Sequence, residues 1–245
     1  MFGSTIIDYI FKGCITFYIP VVFGIKYYID GLSKETKNRI SDTLSVPWAL
    51  WCFSLSLFST FGSYHLSNYI LFNSDKRVLD TSASFWYKAF IISKAFELID
   101  TIFIVCRSKP LVALQWYHHW VTMTICYYVS DLLCDQFSLF FLMNYIVHSF
   151  MYLYFGLYVF FRNNKYMKIY GTFVNIIQTI QMLFAVISCI YLYNQKIEYK
   201  RCNYELDNTQ LVFIFYCILF MYTTYLTLFV MLFFERNDRI SNKIK

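Results

Sequence analysis

The sequence is poor in charged residues, glycine and proline. Charged residues make up 15% of its 245 residues, whereas a typical soluble globular domain carries about 25%. Seven glycines and three prolines are too few for long irregular linkers, because these residues punctuate most turns and loops. Hydrophobic residues make up 58% of the chain. The composition therefore argues against a soluble domain and favours a chain that lies largely in a membrane.

Seven apolar runs cover most of the chain, and each is close to the ~20 residues that a helix needs to cross a bilayer. We predict one all-α integral membrane domain over residues 1–245, with a cytosolic tail at 235–245. The first run is the weakest, because Lys12 and Lys26 lie near its ends and Pro20 lies inside it. The predicted seven transmembrane helices span 9–28, 47–73, 85–106, 111–130, 137–161, 166–193 and 210–234.

The net charge of +6 does not come from a basic stripe, so nucleic acid is not indicated as a partner. Basic residues in short loops report topology instead, because cytosolic loops carry an excess of Lys and Arg. With the N-terminus in the lumen, twelve basic residues fall on the cytosolic side and five on the lumenal side. This excess predicts a lumenal N-terminus and a cytosolic C-terminus. The cytosolic set is Lys34, Lys37, Arg39, Arg107, Lys109, Arg162, Lys165, Lys168, Arg236, Arg239, Lys243 and Lys245, and the lumenal set is Lys76, Arg77, Lys196, Lys200 and Arg201.

Metal ligands are scarce. The eight cysteines include no C-x-x-C pair, so neither a metal nor a disulfide framework is indicated, although a lumenal bridge from Cys202 stays open. Four histidines are too few for the two-iron histidine boxes of membrane desaturases. A single zinc held by His118, His119 and His148 is disfavoured, since adjacent helical residues point about 100° apart. We predict no bound metal.

Polar residues nevertheless recur inside four of the predicted spans, at spacings of three and four that place them on one helical face. Counted from the cytosolic ends at 1.5 Å per residue, one residue of each span lies about 10 to 20 Å deep, from His118 at about 10 Å through Glu97 and Gln178 to His148 at about 20 Å. Ionisable residues at such depth normally face the bundle interior or a wet cavity and mark function. The set is Lys94, Glu97 and Asp100 in the third span, Gln115, His118 and His119 in the fourth, Asn144 and His148 in the fifth, and Asn175, Gln178 and Gln181 in the sixth.

Purely structural roles compete with a functional one. Lys94 and Glu97 can form an internal ion pair that only ties helices together, because buried charges need partners. Gln178 and Gln181 can act as interhelical hydrogen-bonding residues. The adjacent His118 and His119 are harder to explain in this way, since one ring can face a cavity while the other meets a neighbouring helix.

Four segments carry these polar residues, namely "SKAFELIDTIFIVCRSK" (93–109), "QWYHHWVTM" (115–123), "MNYIVHSFMYLYF" (143–155) and "IIQTIQ" (176–181). They look like the motifs K-x-x-E-x-x-D-T, H-x-x-H-H, N-x-x-x-H-x-x-M-Y and Q-x-x-Q, in that order. These are the signature blocks of the ELO family of very-long-chain fatty acid elongases, which the chain therefore resembles. The resemblance runs from about residue 47 to 234.

The resemblance implies a multi-pass enzyme of the endoplasmic reticulum, with six of seven helices around a narrow acyl-chain tunnel. Its reaction would join acyl-CoA to malonyl-CoA and release CO2, CoA and a 3-oxoacyl-CoA two carbons longer. No cofactor is implied, because no electrons enter or leave. The implied partners are the two CoA substrates, membrane lipid and the enzymes that process a 3-oxo product, namely a reductase, a dehydratase and an enoyl reductase. A homo-oligomer stays open.

The same resemblance suggests roles for the polar residues. His118 is the candidate that takes the acyl group, since a neutral imidazole is a competent nucleophile near pH 7. His119 and His148 are candidates for proton transfer or for holding the malonyl carboxylate. Asn144 and Gln115 are candidates for stabilising oxyanions or fixing a histidine tautomer.

The remaining candidates are expected to contact substrate. Lys94, Glu97 and Asp100 would shape the cytosolic mouth, with Lys94 near the CoA phosphates. Tyr152 lies one turn beyond His148 on the same face. Gln178 and Gln181 complete the predicted substrate-binding set, which is Lys94, Glu97, Asp100, Tyr152, Gln178 and Gln181. The loop bases Arg107, Lys109, Arg162, Lys165 and Lys168 would attract anionic CoA or would simply report topology.

One position departs from the family pattern, because Gln115 occupies the place of the first box histidine. Glutamine can donate and accept hydrogen bonds but cannot titrate, which favours an orienting role there.

Two other functional classes of membrane protein stay open. One is a polytopic transporter, since intramembrane charges also mark transport paths, and the other is a catalytically inactive relative that acts as a scaffold. The "WYHH" context resembles family members acting on saturated and monounsaturated chains.

Overall fold

A computed structural model of the chain describes residues 5–73, 81–128, 138–194 and 208–244. Within these ranges all regular structure is helical. The two short helices α2 and α5 each adjoin a longer neighbour, and the others are rods of 16 residues or more. The helices are α1 (Thr5–Asp30), α2 (Lys34–Thr43), α3 (Ser45–Asn73), α4 (Thr81–Phe96), α5 (Leu98–Cys106), α6 (Ala113–Tyr128), α7 (Ser138–Phe161), α8 (Lys165–Asn194) and α9 (Asn208–Ile244).

Four helices, α1, α7, α8 and α9, are long and apolar enough to cross a membrane, and α3 joined to α2 through a 40° bend makes a fifth. The chain is therefore an all-α integral membrane protein, as its composition predicts. Within the described residues, α6 and the α4–α5 pair do not meet the same criteria. The α4–α5 pair carries Lys94, Glu97 and Asp100, whereas α6 has only 16 residues, fewer than the ~20 that a helix needs to cross a bilayer. Seven crossings stay a prediction.

The predicted span 85–106 is not continuous, which corrects the sequence interpretation. The helix breaks at Glu97, between α4 and α5. The Glu97 N–H still donates to the Ser93 carbonyl (2.8 Å), but the Asp100 N–H donates to the Glu97 carbonyl at 3.1 Å, which is the tighter i→i−3 pattern. No glycine or proline marks this break. It falls at the buried pair of Lys94 and Glu97, whose side chains bond to each other.

Helices α3 and α7 pack antiparallel and very close together. A Cβ atom at Gly62 would lie 2.7 Å from the Tyr145 ring, and one at Gly156 would lie 2.5 Å from the Phe53 ring. Only glycine therefore fits at these two crossings without displacing a ring. This close contact fixes α7 in the bundle, and α7 carries Asn144 and His148.

Two further helix contacts position the polar residues. Helix α4 runs parallel to α7. Tyr87 of α4 bonds to Ser138 at the start of α7, and Lys94, seven residues later in α4, bonds to Asn144, six residues later in α7. Helix α9 runs antiparallel to α6, where the Tyr225 hydroxyl contacts Thr122. The α4–α7 and α6–α9 contacts bring two separate polar groups into the interior of the bundle.

The chain beyond the predicted last span is helical, because α9 continues to Ile244. The tail predicted at 235–245 is thus an extension of α9, apart from its last residue, which lies outside the described residues. Also outside them are Cys202, the candidate for a lumenal bridge, and the five basic residues predicted on the lumenal side.

Candidate active site

A cavity of about 890 Å³ lies between α2, α3 and α5–α9. Its outer part lies at the end of the bundle where α5 and α7 terminate. From there it extends inward to His118, His119 and His148. Seven of the predicted site residues line it, together with Asn175. They are Asp100, Gln115, His118, His119, His148, Gln178 and Gln181. Two helices, α6 and α7, therefore bring their imidazoles to one shared cavity.

His148 is held in a chain of polar contacts from α4. The Lys94 ammonium donates to Glu97 Oε1 (2.7 Å) and to Asn144 Oδ1 (2.9 Å). The Asn144 amide N–H in turn donates to His148 Nε2 at 3.2 Å. His148 Nδ1 lies 3.5 Å from Glu97 Oε1, so the ring has a polar neighbour at each nitrogen. Since Nε2 accepts, a neutral His148 carries its proton on Nδ1, on the side of the carboxylate.

The position of Lys94 differs from the expected one. Its side chain is 2% exposed and bonds to Glu97 and Asn144. Lys94, Glu97 and Asn144 are not among the residues that line the cavity. They lie behind His148 and support it, rather than shape a mouth for CoA phosphates. Both charges of the pair are buried, so each depends on the other for compensation.

His118 and His119 face the cavity from α6 in a different way. The Gln115 amide N–H donates to His119 Nε2 at 2.7 Å, so that the glutamine orients this ring. Nδ1 of His118 and Nδ1 of His119 are buried and have no hydrogen-bond partner within the described part of the chain. The Tyr225 ring lies 4.6 Å from the His118 ring. Polar ring atoms that are buried beside a cavity are available to a bound molecule.

Asp100 is occupied by two donors from other helices. Its Oδ1 accepts from Trp51 Nε1 (2.6 Å) and its Oδ2 accepts from the Tyr152 hydroxyl (2.6 Å). The Tyr152 ring meets the His148 ring edge-on at 5.4 Å. Asp100 thus connects α3 and α7, and Tyr152 carries that connection to His148. Tyr152 itself is not among the cavity-lining residues.

The glutamines of α8 take different positions. Gln181 is buried and lines the cavity. Gln178 also lines it, and its amide N–H contacts the Met151 sulfur at 3.1 Å. Both residues face the same space as the histidines, and Gln178 also contacts α7.

Cationic side chains lie at the outer end of the cavity. Arg107, Lys109 and Arg162 line it there, and we call this the basic end. Lys165 and Lys168, which the sequence groups with Arg162, are not among the lining residues. Asp42 also lines the cavity, so the three cations outnumber one carboxylate there, and this excess of positive charge favours an anionic ligand.

Sequence reasoning missed Tyr225, Thr122 and Trp51. The Tyr225 hydroxyl bonds to the His118 carbonyl oxygen (3.2 Å) and lies 2.8 Å from Thr122 Oγ1. Trp51 holds Asp100. The sequence has 23 tyrosines and 5 tryptophans, and nothing in it distinguishes Tyr225 and Trp51 from the others. Thr122 is equally unmarked, because the roles of all three residues depend on contacts between distant helices.

The described ranges contain no group of three or more His, Cys, Asp or Glu side chains placed to hold a metal ion. Nδ1 of His118 and of His119 stays buried without a partner in those ranges, and the two rings lie 5.6 Å apart and nearly perpendicular. Their arrangement does not converge on a single point.

Comparison with known proteins matches almost the whole chain. The family model described as ELO: GNS1/SUR4 family matches residues 8–243. "Long chain fatty acid elongase 1" of Caenorhabditis elegans is 33% identical over 235 residues, which cover 89% of this chain and 75% of that protein. "Very long chain fatty acid elongase 4" of Trypanosoma cruzi is 31% identical over 239 residues, covering 90% and 77%. "Very long chain fatty acid elongase 6" of Homo sapiens is 30% identical over 231 residues, covering 89% and 80%.

Proposed function

This chain belongs to the ELO family, and from that premise we propose that it is an enzyme of fatty acid elongation that performs the condensing step. It would act as a 3-oxoacyl-CoA synthase, an acyltransferase that forms a carbon–carbon bond. Acyl-CoA and malonyl-CoA would give a 3-oxoacyl-CoA two carbons longer, CO2 and CoA. The relatives named above as elongases support the general activity.

One observation supports the chemistry more than any other. Imidazoles from two helices line one cavity, at whose outer end Arg107, Lys109 and Arg162 lie. The cations suit the phosphates of a CoA substrate, and the imidazoles suit attack on its thioester. No cofactor is needed in this scheme, because the overall reaction transfers no electrons.

In the first half-reaction, a ring nitrogen of His118 attacks the thioester carbonyl of acyl-CoA. A nitrogen–carbon bond forms and the carbon–sulfur bond breaks, so that CoA leaves as the thiol with the proton released from the imidazole. The acyl group is then stored on His118. Covalent storage allows one cavity to receive two CoA substrates in turn.

In the second half-reaction, malonyl-CoA occupies the vacated end of the cavity. Its carboxylate leaves as CO2, and the electron pair of the broken carbon–carbon bond becomes an enolate. The enolate carbon attacks the acyl carbonyl and the nitrogen–carbon bond breaks. The leaving ring nitrogen takes up one proton from solvent, which regenerates neutral His118. His119 and His148 are suited to proton transfer or to holding the malonyl carboxylate, and Asn144 and Gln115 keep their rings oriented.

The acyl tail would continue from His118 away from the basic end, in a tunnel surrounded by six of seven transmembrane helices. Saturated and monounsaturated chains are the proposed substrates. The protein would lie in the endoplasmic reticulum membrane, with a lumenal N-terminus and the basic end in the cytosol. Its product requires a 3-oxoacyl-CoA reductase, a dehydratase and an enoyl reductase as further enzymes of the cycle.

Product analysis tests this proposal. Purified full-length protein is incubated with a panel of acyl-CoAs and with malonyl-CoA that carries a labelled free carboxyl group or a labelled methylene carbon. We expect labelled CO2 in the first case and a labelled 3-oxoacyl-CoA in the second, both dependent on acyl-CoA. An intact protein that releases no CO2 with any acyl-CoA would contradict condensation and favour the transporter or scaffold class.

A further inference from the structure

We infer that Gln181 on α8 is a catalytic residue, whose side-chain amide donates a hydrogen bond to the acyl carbonyl oxygen while that oxygen carries negative charge. Gln181 is 4% exposed and lines the cavity. Its amide forms no hydrogen bond within the described ranges. A buried amide without a partner is unfavourable, so a bound molecule that offers an acceptor fits beside it. The inference rests on the proposed function, because it concerns the intermediates of the condensation.

Contacts between α7 and α8 place Gln181 at the depth of the histidines. The two helices run antiparallel, and the Gln178 amide contacts the Met151 sulfur at 3.1 Å. Three residues further inward, about 4.5 Å along each helix, lie Gln181 on α8 and His148 on α7. The amide of Gln178 is therefore engaged one turn nearer the basic end, whereas that of Gln181 is free at the level of the reacting groups.

A contact with α9 gives the same depth. Met182, the next residue of α8, packs in one apolar cluster with Tyr225. The Tyr225 ring lies 4.6 Å from the His118 ring. Gln181 therefore lies level with His118 at the inner end of the cavity. An acyl group stored on His118 has its carbonyl carbon bonded directly to that ring, so its oxygen lies at this level too.

A second free donor at this level lies on α6. Because His119 Nε2 accepts from the Gln115 amide at 2.7 Å, a neutral His119 carries its proton on Nδ1. That nitrogen is buried and has no partner in the part of the chain that the structure describes. Gln181 and His119 thus offer two uncommitted N–H donors from two helices beside His118. Two such donors at one point are the usual arrangement for stabilising an oxyanion.

Both half-reactions place negative charge on the same oxygen. When a ring nitrogen of His118 adds to the thioester, the carbonyl electron pair moves onto the oxygen, and it returns as the carbon–sulfur bond breaks. When the enolate carbon adds to the stored acyl group, that oxygen is charged again until the nitrogen–carbon bond breaks. Because the acyl group stays on His118 between the steps, donors fixed beside this ring serve both. They bind the charged oxygen more strongly than the neutral carbonyl, which is what accelerates a reaction.

Gln181→Met removes the donor at similar side-chain length and tests the inference in purified full-length protein. We expect kcat for condensation to fall about a hundredfold, as when other enzymes lose one oxyanion donor, with little change in KM. Acylation by acyl-CoA alone and discharge by malonyl-CoA, each followed in a single turnover, should slow by similar factors. Ile180→Ala is the matched control, because Ile180 is the neighbouring residue of α8 but is 55% exposed. Its rates should equal those of the unmodified protein.

A binding measurement separates this role from a structural one. The probe is a thioether analogue of acyl-CoA, in which a methylene group replaces the carbonyl. Gln181→Met should bind it as tightly as the unmodified protein does, because the analogue offers the amide no oxygen. A folded Gln181→Met protein that keeps its kcat, or that loses affinity for the analogue by the same factor as its rate, overturns the inference.

The remaining outcomes are also decisive. Should Gln181→Met fail to fold, Gln181→Leu replaces it under the same criteria. If the unmodified protein binds the analogue but condenses no acyl-CoA, the proposed function itself fails. If the unmodified protein is active and only one of the two half-reactions slows in the variant, the amide does not serve the shared oxygen, and the inference is wrong while the proposed function stands.

Discussion

The histidines on the two sides of the cavity are held in different ways. On α7, His148 has Asn144 at one ring nitrogen and Glu97 near the other. On α6, His118 has a buried Nδ1 without a partner in the described ranges and an aromatic ring against its face. The comparison indicates different catalytic roles for His148 and His118. A ring that is fixed at both nitrogens is suited to orient or to transfer a proton, whereas a ring with an uncommitted nitrogen is suited to form a bond.

The largest expected effect is a loss of catalysis when His118 is replaced. His118→Ala should lower the condensation rate roughly a thousandfold or more, because it removes the group that stores the acyl chain. The rate is measured as malonyl-CoA-dependent release of CO2. A folded His118→Ala protein that works at the normal rate would remove His118 as the nucleophile and contradict the roles that the comparison assigns.

The second effect concerns the support behind His148. Glu97→Gln leaves the Lys94 ammonium buried without an opposite charge, which should cost about 3–5 kcal/mol of stability. Unfolding by heat or denaturant in detergent measures this loss. The double variant Lys94→Met with Glu97→Gln is the control, and it should recover much of the stability because no charge is left unpaired. Equal stability of Glu97→Gln and the unmodified protein would show that the pair does not support α4 and α7.

A smaller effect is expected at the residue that holds His118 from α9. Tyr225→Phe keeps the ring against His118 but removes the hydroxyl that contacts Thr122 and the His118 carbonyl. Net hydrogen bonds contribute about 0.5–1.5 kcal/mol each, so kcat should fall by about tenfold or less. KM should not change. A change in KM alone would assign Tyr225 to substrate binding rather than to positioning of the ring.

The smallest effect on activity is expected at Gln115, the residue that departs from the family pattern. Gln115→His should keep the fold and keep or raise the activity, since histidine can also donate to His119. Gln115→Leu is the matched comparison, because it removes the donor at similar size and should lower the activity. Unfolding of Gln115→His would mean that the glutamine has a packing role instead.

Part of the geometry of the candidate site could be predicted from the sequence. Spacings of three and four placed each polar set on one helical face, and depth counting placed the histidines of α6 and α7 in one slab about 10 to 20 Å deep. In the structure these histidines line one cavity. What the sequence could not supply were contacts across helices. The bond from Trp51 to Asp100 joins residues 49 positions apart, and that from Tyr225 to His118 joins residues 107 apart.

The break at Glu97 was missed for a related reason. Helix ends are usually marked by glycine, proline or a capping side chain, and none of these marks this break. The charges of the site also make α4 and α5 less typical of a membrane span, whereas α6 carries no charged residue and has only 16 residues.

Acylation in the absence of the second substrate tests the central claim most directly. The purified protein is incubated with a long-chain acyl-CoA but without malonyl-CoA, and the intact mass and the modified peptide are determined by mass spectrometry. The two-step scheme predicts a gain of one acyl group, located on His118 and discharged when malonyl-CoA is added. No gain in mass, or an acyl group on a residue other than His118, would contradict it.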